Sequence, residues 1–324
     1  MTLRTYIIRK CLLIFPVMFI ISIITFTICQ LAPGSPIAML YQTVSSEVPP
    51  ELIMRIEEKL GLNKPIWVQY IIWLRQLFSG TFGYSYVNCQ PVIQLISEKI
   101  LNTFKLTFTS LIISMSISII VGTLSAVKRR TIFDYAATTF ALLGISMPSY
   151  WIGILCILLF SLHFNFFPSS GVQTIGIQMS WIETLVDQIR HMVLPVAVLS
   201  FAGVAYDARI LKSSMQNVLN QDYIKTARAK GLKERIVVYK HALRNALLAI
   251  VTVIGVRIGF LLSGSVLIET IFAWPGLGRL IVEAAMHRDY PVIMAINMVI
   301  STMVIISNLI TDIIYGVLDP RIRY

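Results

Sequence analysis

Apolar residues run through this chain in long stretches that polar segments separate. Six stretches are predicted to cross a membrane as helices, because about 20 apolar residues span the hydrocarbon core. The predicted spans are residues 11–31, 106–127, 135–162, 192–206, 246–268 and 291–311. The fourth span is short, and Pro148 within the third predicts a kinked or tilted helix. The pattern predicts an all-α polytopic membrane protein with six transmembrane helices.

Composition narrows the class of protein further. Of the 324 residues, 56% are hydrophobic and only 13% are charged, against about 25% charged in an ordinary soluble domain. So few charges cannot cover the surface of a soluble protein of this size. A cytosolic enzyme, a DNA-binding module and a disordered chain are therefore excluded.

The positive charges indicate orientation. The chain carries 27 Lys and Arg against 16 Asp and Glu, and 17 of those 27 lie before span one, between spans two and three, between spans four and five, or after span six. Basic loops face the cytoplasm, so both termini are predicted to be cytoplasmic, and the net charge of +11 indicates no nucleic-acid partner. The predicted organisation is an N-terminal stub with helix one (1–31), an extracytoplasmic segment (32–103), a core (104–318) with a cytoplasmic loop (207–245), and a cytoplasmic tail (319–324).

The extracytoplasmic segment is too long for a simple connector. Apolar residues at helical spacing predict one helix near 52–60 and a second that begins after Pro65 and ends at Gly80. The pair is either amphipathic and lies on the outer membrane surface, or it forms a small subdomain that shapes the mouth of a pathway or receives a partner.

The cytoplasmic loop contains a second distinctive pattern. A basic loop beside anionic lipid accounts for its charge, but not for the short helix predicted between Asp222 as N-cap and Gly231 as a left-handed C′ residue. Ala227 and Ala229 keep its surface small, so that another backbone can approach closely. The pattern predicts a short rigid helix that docks into a groove on a cytoplasmic partner.

Motifs for catalysis or nucleotide binding are missing from the sequence. There is no P-loop, HExxH, GxSxG or CxxC pattern, and the four histidines form no metal cage. The one charge deep inside a predicted span is Arg257. An intramembrane charge marks a transport pathway or pairs with a neighbouring helix, and the sequence alone leaves both interpretations open.

Taken together, these segments resemble the B-type permease subunits of oligopeptide, dipeptide and nickel ABC importers. The matching motifs are LAPGSP at 31–36, LGLNKP at 60–65, SMPSYW at 146–151, FPSSG at 167–171, DYIKTARAKGL at 222–232, HALRNA at 241–246, FAWPGLG at 272–278, RDYPV at 288–292 and LDPRIR at 318–323. Their order covers nearly the whole chain. The acidic residue that usually opens the family's loop motif is absent from the matching position, which holds Lys225 or Thr226.

The resemblance implies a type I ABC importer permease of the bacterial cytoplasmic membrane, with a structured external loop after helix 1. The implied coupling helix comprises Asp222, Tyr223, Ala227, Arg228, Ala229, Gly231 and Leu232. It would dock onto one of two ABC ATPase subunits, which use ATP and magnesium, while this chain itself binds no cofactor and is not an enzyme. The other implied partners are a second, C-type permease subunit and an extracytoplasmic substrate-binding protein.

Three functions are compatible with the sequence. The resemblance favours import of di- and oligopeptides, and the same architecture importing nickel or a metal chelate is the alternative. An ion-gradient-driven secondary transporter is a different class, which the lack of acidic residues in the predicted spans and of a visible internal repeat disfavours. In the importer, ATPase closure would move the 222–232 helix as a lever and swing spans four and five, with Arg257 as a pathway residue.

Overall fold

The computed structural model describes residues 3–32, 63–259, 261 and 266–318. The α-helices are α1 Leu3–Leu31, α2 Ile66–Phe78, α3 Val92–Val127, α4 Ile132–Ser146, α5 Ser149–Cys156, α6 Trp181–Leu219, α7 Asp222–Ala229, α8 Glu234–Ile236, α9 Leu243–Gly259, α10 Val266–Ile271, α11 Leu277–Met286 and α12 Tyr290–Leu318. Two π-helical segments continue α5 and join α8 to α9: Ile157–His163 and Val237–Ala242. Within the described ranges there is no β-strand, only an isolated bridge between Tyr84 and Pro91.

The first of two compact units comprises Met1–Asn102 and Gly276–Tyr324. Here α1 packs along α12, and α11 packs against the start of α12. One apolar cluster joins α1, α2 and α12 through Phe26, Trp73 and Met298. The predicted second external helix is confirmed as α2, which follows Pro65 and ends before Gly80. The helix predicted near 52–60 and the tail at 319–324 lie outside the described residues.

The second unit is Thr103–Pro275, and α6 is its central helix. Helices α4, α5 and α9 all pack against α6. Towards the start of α6, Leu194 and Val198 join a core with Ile268 and Phe272 of the α10 region. The loop motif at 167–171 is tied to the same region, because the Gly171 N–H donates to the Phe272 carbonyl at 2.9 Å.

Four described helices are long and apolar enough to cross a membrane. They contain Arg9–Leu31, Val92–Val127, Trp181–Leu219 and Tyr290–Ile313, and they correspond to predicted spans one, two, four and six. The third span is divided, since Ile132–Ser146 and Ser149–His163 meet at an angle of 102°. Pro148 stands at that break as the residue before the second helix, which explains it: proline donates no backbone N–H to the helix before it. The predicted kink is therefore a sharp bend.

Two boundaries differ from the prediction. Helix α6 extends well beyond 192–206 on both sides, because a capping box between Ser180 and Glu183 starts it early. Its C-terminal part takes up positions 207–219, which were assigned to the cytoplasmic loop. The fifth predicted span corresponds to α9 followed by α10, with residues 260 and 262–265 between them outside the described part.

Candidate functional site

Helix α7 forms the centre of the candidate site, and its first residue differs from the prediction. Gln221, with extended backbone dihedrals, is the N-cap, while Asp222 is already helical. The Asp222 side chain is 96% exposed and pairs with the Lys225 ammonium at 2.9 Å. The predicted N-cap role of Asp222 is thus wrong by one position. A carboxylate in the first turn still suits the partial positive charge of a helix N-terminus.

The C-terminus of α7 ends as predicted. Gly231 has a φ of 76°, the left-handed conformation that favours glycine. The Gly231 N–H donates to the Arg228 carbonyl at 2.9 Å, and the Leu232 N–H donates to the Ala227 carbonyl at 3.4 Å. These two bonds form a Schellman motif, which satisfies helix carbonyls that would otherwise lack donors. The helix therefore ends at a defined point.

The inner face of α7 is fixed to the second unit by apolar packing. Ile224 is completely buried and Ala227 nearly so. Both belong to a cluster that includes Leu211 and Met215 of α6 and Val237 of the π segment. The prediction put Ala227 on the surface that a partner approaches, but the structure turns it inward. Its small side chain instead lets α7 lie close to its own chain.

The outer face of α7 is open to solvent in this chain. We use this name for Asp222, Tyr223, Arg228, Ala229, Gly231 and Leu232, all of which are exposed. Two of its apolar side chains, Tyr223 and Leu232, are 45% and 39% exposed, and Tyr239 nearby in sequence is 55% exposed. Large apolar side chains among polar ones on a surface are typical of an interaction site.

Two polar contacts hold the outer face in place. The Asn245 amide Nδ2 of α9 donates to the Tyr223 hydroxyl at 2.9 Å. The Arg228 guanidinium donates through two nitrogens to the Glu234 carboxylate of α8, at 3.2 and 2.6 Å. The hydrogen bond from Arg228 lowers the pKa of Glu234 below its usual value, and the same bond raises the pKa of Arg228. Helix α7 is therefore tied to α8 and to α9, both of which follow it in the chain.

The structure shows that Arg257 pairs with a neighbouring helix. Its Nη1 lies 2.7 Å from Oδ2 of Asp207 on α6, and the Asp207 side chain is only 3% exposed. Arg257 also lies 3.5 Å from the Ser114 hydroxyl and over the Tyr206 ring, 5.9 Å from its centroid. Its own side chain is 28% exposed. The pair joins α6 to α9, the two helices that flank the α7 segment.

Gly203 makes this arrangement possible. A Cβ at this position would lie 2.8 Å from Ser114 Cβ and 3.1 Å from Arg257 Nη1. Any larger residue would therefore displace the guanidinium or push α3 away from α6.

Sequence reasoning missed two residues of this site, Asp207 and Asn245. Asp207 stands one position beyond the predicted fourth span, so it was assigned to the loop. A signal was present in the sequence, since Gly203 and Leu211 stand four positions before and after Asp207, which puts all three on one face of a helix. Asn245 belongs to the motif at 241–246, and nothing local in the sequence indicates that it reaches Tyr223.

No metal centre is found in the part of the chain that the structure describes. Within residues 3–32, 63–259, 261 and 266–318, no three His, Cys, Asp or Glu side chains lie close enough together to hold an ion.

These features define a polytopic helical membrane protein with a short capped helix between two of its long helices. The sequence profile described as "Binding-protein-dependent transport system inner membrane component" matches residues 118–324, and that of the family's N-terminal region matches residues 3–107. The chain belongs to this family of transport-system permeases, which confirms the family that the motifs indicated.

Individual relatives agree with this assignment. The chain is 42% identical over 323 residues to the oligopeptide transport system permease protein AppB of Bacillus subtilis (strain 168), covering 99% of this chain and 100% of that one. It is 38% identical over 336 residues to the dipeptide transport system permease protein DppB of Escherichia coli (strain K12), covering 98% of each. Among solved structures, the MetNI methionine ABC transporter in inward-facing conformations aligns with a TM-score of 0.54 at 17% identity, over 71% of this chain and 99% of that chain. This last likeness concerns the fold alone.

Proposed function

We propose that this chain forms half of the translocation pathway of an ATP-driven peptide importer and couples that pathway to a cytoplasmic ATPase through α7. The observation that carries the proposal is the two-sided character of α7. Its inner face is packed into the chain's own core, and its outer face offers apolar and charged side chains to a partner. Such a helix transmits force because it cannot move without its neighbours.

The proposed topology has six spans with both termini in the cytoplasm. The distribution of Lys and Arg supports this orientation, with Lys128–Arg130 and the α7 segment on the same side. The external segment after helix 1 and the cytoplasmic loop that contains α7 then lie on opposite sides of the membrane. In this topology the outer face of α7 meets the cytoplasm, where ATP is available.

The proposed partners are two ABC ATPases, a second C-type permease and an external binding protein. Tyr223 and Leu232 are the proposed anchors, since buried aromatic and apolar side chains carry most of the energy of a protein interface. Arg228 would lie at the rim of this interface, where its hydrogen bond to Glu234 already fixes the position of the guanidinium. ATP and magnesium would be held by the ATPases, and this chain would bind no cofactor.

The proposed coupling runs from α7 into the membrane. Ile224 transmits displacement of α7 to α6 through their shared apolar cluster. The Asp207–Arg257 pair then makes α6 and α9 move together, because separating the two charges inside the membrane is costly. Arg257 is therefore assigned to transmission of movement, and its partly exposed guanidinium keeps it a candidate for the pathway wall.

Peptides are the proposed substrates. The relatives reported above are named for oligopeptide and dipeptide transport, which favours peptides over nickel. An ion-gradient-driven carrier is not favoured either, because the matching family consists of binding-protein-dependent systems. Selection among peptides would rest largely with the external binding protein.

Substituting Gly231 tests the docking role. Gly231→Trp should lower ATP-dependent uptake at least about tenfold, because the indole would project from the outer face where the ATPase is proposed to sit. The matched control is Gly176→Trp in the loop before α6. Both glycines have positive φ, and a Cβ at either would meet nothing within 4 Å, so the two variants share the same backbone strain.

The comparison is made as radiolabelled peptide uptake, normalised to the amount of chain in the membrane. We expect the Gly176 variant to keep uptake close to wild type. Equal uptake by Gly231→Trp and wild type would show that α7 is not the docking element. Uptake by the purified chain alone in liposomes, without ATP, would favour the carrier instead.

A further inference from the structure

A cavity of about 290 Å³ lies among three helices of the second unit, and its lining includes none of the residues of the outer face of α7. Its volume is at the lower end of the range of about 300–1,000 Å³ for ligand pockets. The lining residues are Val121, Ser125, Ala137, Thr138, Ala141, Leu142, Ala208, Arg209, Lys212, Ser213 and Gln216. They come from α3, α4 and α6.

One wall of the cavity is built from hydrogen-bond donors. Arg209, Lys212, Ser213 and Gln216 follow one another on α6 at a spacing that puts them on one helical face. Arg209 is exposed, and its side chain has no ion pair or hydrogen bond to any other described residue. Its guanidinium therefore has all of its donors available to a ligand.

Lys212 is partly used by its own chain. Its Nζ lies 2.5 Å from Oδ1 of Asp134 and 3.0 Å from the Thr138 hydroxyl. An ammonium group has three donors, so one remains. Asp134 is the acidic group that faces this wall, and its second oxygen accepts from the Arg130 backbone N–H at 3.1 Å. Because the Asp134 charge is offset in this way, Arg209 leaves the cavity with net positive charge.

A buried hydroxyl in the same cavity lacks a partner. Ser125 of α3 is 2% exposed, and its Oγ has no hydrogen-bond partner among the residues described. A buried polar atom without a partner costs free energy, which a ligand oxygen or hydroxyl would recover. This observation is independent of the charges on α6, and it too indicates a polar ligand.

The opposite wall is small and apolar. Ala137 and Ala141 of α4 leave the space open, and Leu142 beside them is 52% exposed. Further along α4, Phe140 and Leu143 are also exposed. A ligand held here would meet donors on one side and an apolar helix surface on the other. That combination fits an amphiphile better than a soluble ion.

We propose that the cavity binds the phosphate headgroup of an anionic phospholipid from the cytoplasmic leaflet. The headgroup would accept from Arg209, Lys212 and Ser125, and the acyl chains would lie along α4 outside the cavity, which is too small to hold them. Basic pockets between transmembrane helices on this side are known to take anionic headgroups. The leaflet follows from the proposed orientation, which puts Lys128–Arg130 at the cytoplasmic surface.

The test measures lipid retained by the full-length chain, purified within its transporter complex, by native mass spectrometry. The probes are phosphatidylglycerol, phosphatidylcholine and inorganic phosphate. Arg209→Gln should weaken phosphatidylglycerol retention about fivefold, while Arg244→Gln on α9 removes the same charge away from the cavity and should leave retention unchanged. Ala141→Phe should fill the cavity and abolish retention, whereas Ala136→Phe, exposed on the same helix but outside the lining, should not.

The proposal is supported if phosphatidylglycerol is retained in preference to phosphatidylcholine and both cavity variants lose it. It is overturned if Arg209→Gln and Ala141→Phe retain as much phosphatidylglycerol as wild type, or if phosphatidylcholine is retained equally. If inorganic phosphate is retained as strongly as phosphatidylglycerol, the cavity binds a soluble anion and not a lipid headgroup. Loss of peptide uptake in Gly231→Trp bears on α7 only, so the two proposals fail independently.

Discussion

Two buried carboxylates, one in each unit of the chain, are held by different contacts. Asp207 lies within the long helix α6 and meets the full positive charge of Arg257 at 2.7 Å. Asp289 lies in the turn before α12, where it accepts from the Ser85 hydroxyl and from the Tyr86 backbone N–H at 3.0 Å. Both are almost completely buried, at 2% and 3% exposure.

The difference follows from the backbone around each residue. Inside a long helix every backbone N–H is already bonded to a carbonyl one turn back, so a carboxylate there needs a donor from a side chain. The irregular segment 79–91 has unused N–H groups, and these can point at Asp289. A charge pair therefore holds α6 and α9 together, while neutral donors fold the segment 79–91 onto the start of α12.

Removing Asp207 should have the largest effect on stability. Asp207→Ala leaves Arg257 without its counter-charge, which we expect to lower the free energy of unfolding by about 3–5 kcal/mol. The measurement is SDS unfolding of the purified chain. The double variant Asp207→Leu with Arg257→Met should recover most of the loss, because apolar residues of similar size replace the pair. A double variant no more stable than the single one would show that the ion pair is not the cause.

Removing Asp289 should cost less. Asp289→Ala leaves the Ser85 hydroxyl and the Tyr86 N–H without an acceptor, and neutral orphaned donors cost about 1–3 kcal/mol. The same unfolding assay measures it, with Ser85→Ala as the control that removes only one donor. If Asp289→Ala destabilises as much as Asp207→Ala, the distinction between the two carboxylates fails.

The pH dependence of stability provides a second test of Asp289. Burial raises the pKa of Asp289 above its usual value of 3.8, although hydrogen bonds from Ser85, Tyr86, Val87 and Val292 act in the opposite direction. The folded chain therefore keeps this proton longer than the unfolded chain. Relative to Asp289→Asn, wild-type stability should fall as the pH rises above about 3.8, by at most about 1.4 kcal/mol per pH unit, and level off above the raised pKa.

Thermal unfolding of wild type and Asp289→Asn across that pH range gives this difference directly. A difference that stays flat would mean that the donors balance burial, and one that rises with pH would mean that they outweigh it.

The comparison also explains what the sequence could predict. The long apolar helices, the bend at Pro148 and the left-handed Gly231 depend on local pattern, and each is found in the structure. The partner of Arg257 depends on how α6 crosses α9, and no pattern within either helix specifies that crossing. For the same reason the inward orientation of Ala227 was missed, since its contacts come from other helices.

The outer face of α7 rests on a different kind of evidence from these contacts. Its residues were predicted from a motif, and their exposure in the structure leaves room for the partner that the motif implies. The proposed contact with the ATPase can be tested directly at this face.

The most direct test is cysteine cross-linking in the assembled transporter, after the four native cysteines have been replaced. Ala229→Cys, on the outer face of α7, should cross-link to an ATPase subunit through a short bifunctional maleimide. Gln178→Cys, exposed in the loop before α6, should give no such product. A cross-linked band of permease plus ATPase with Ala229→Cys alone is the predicted result. No ATPase product from Ala229→Cys, or an equal product from Gln178→Cys, would contradict the assignment of α7 as the coupling helix.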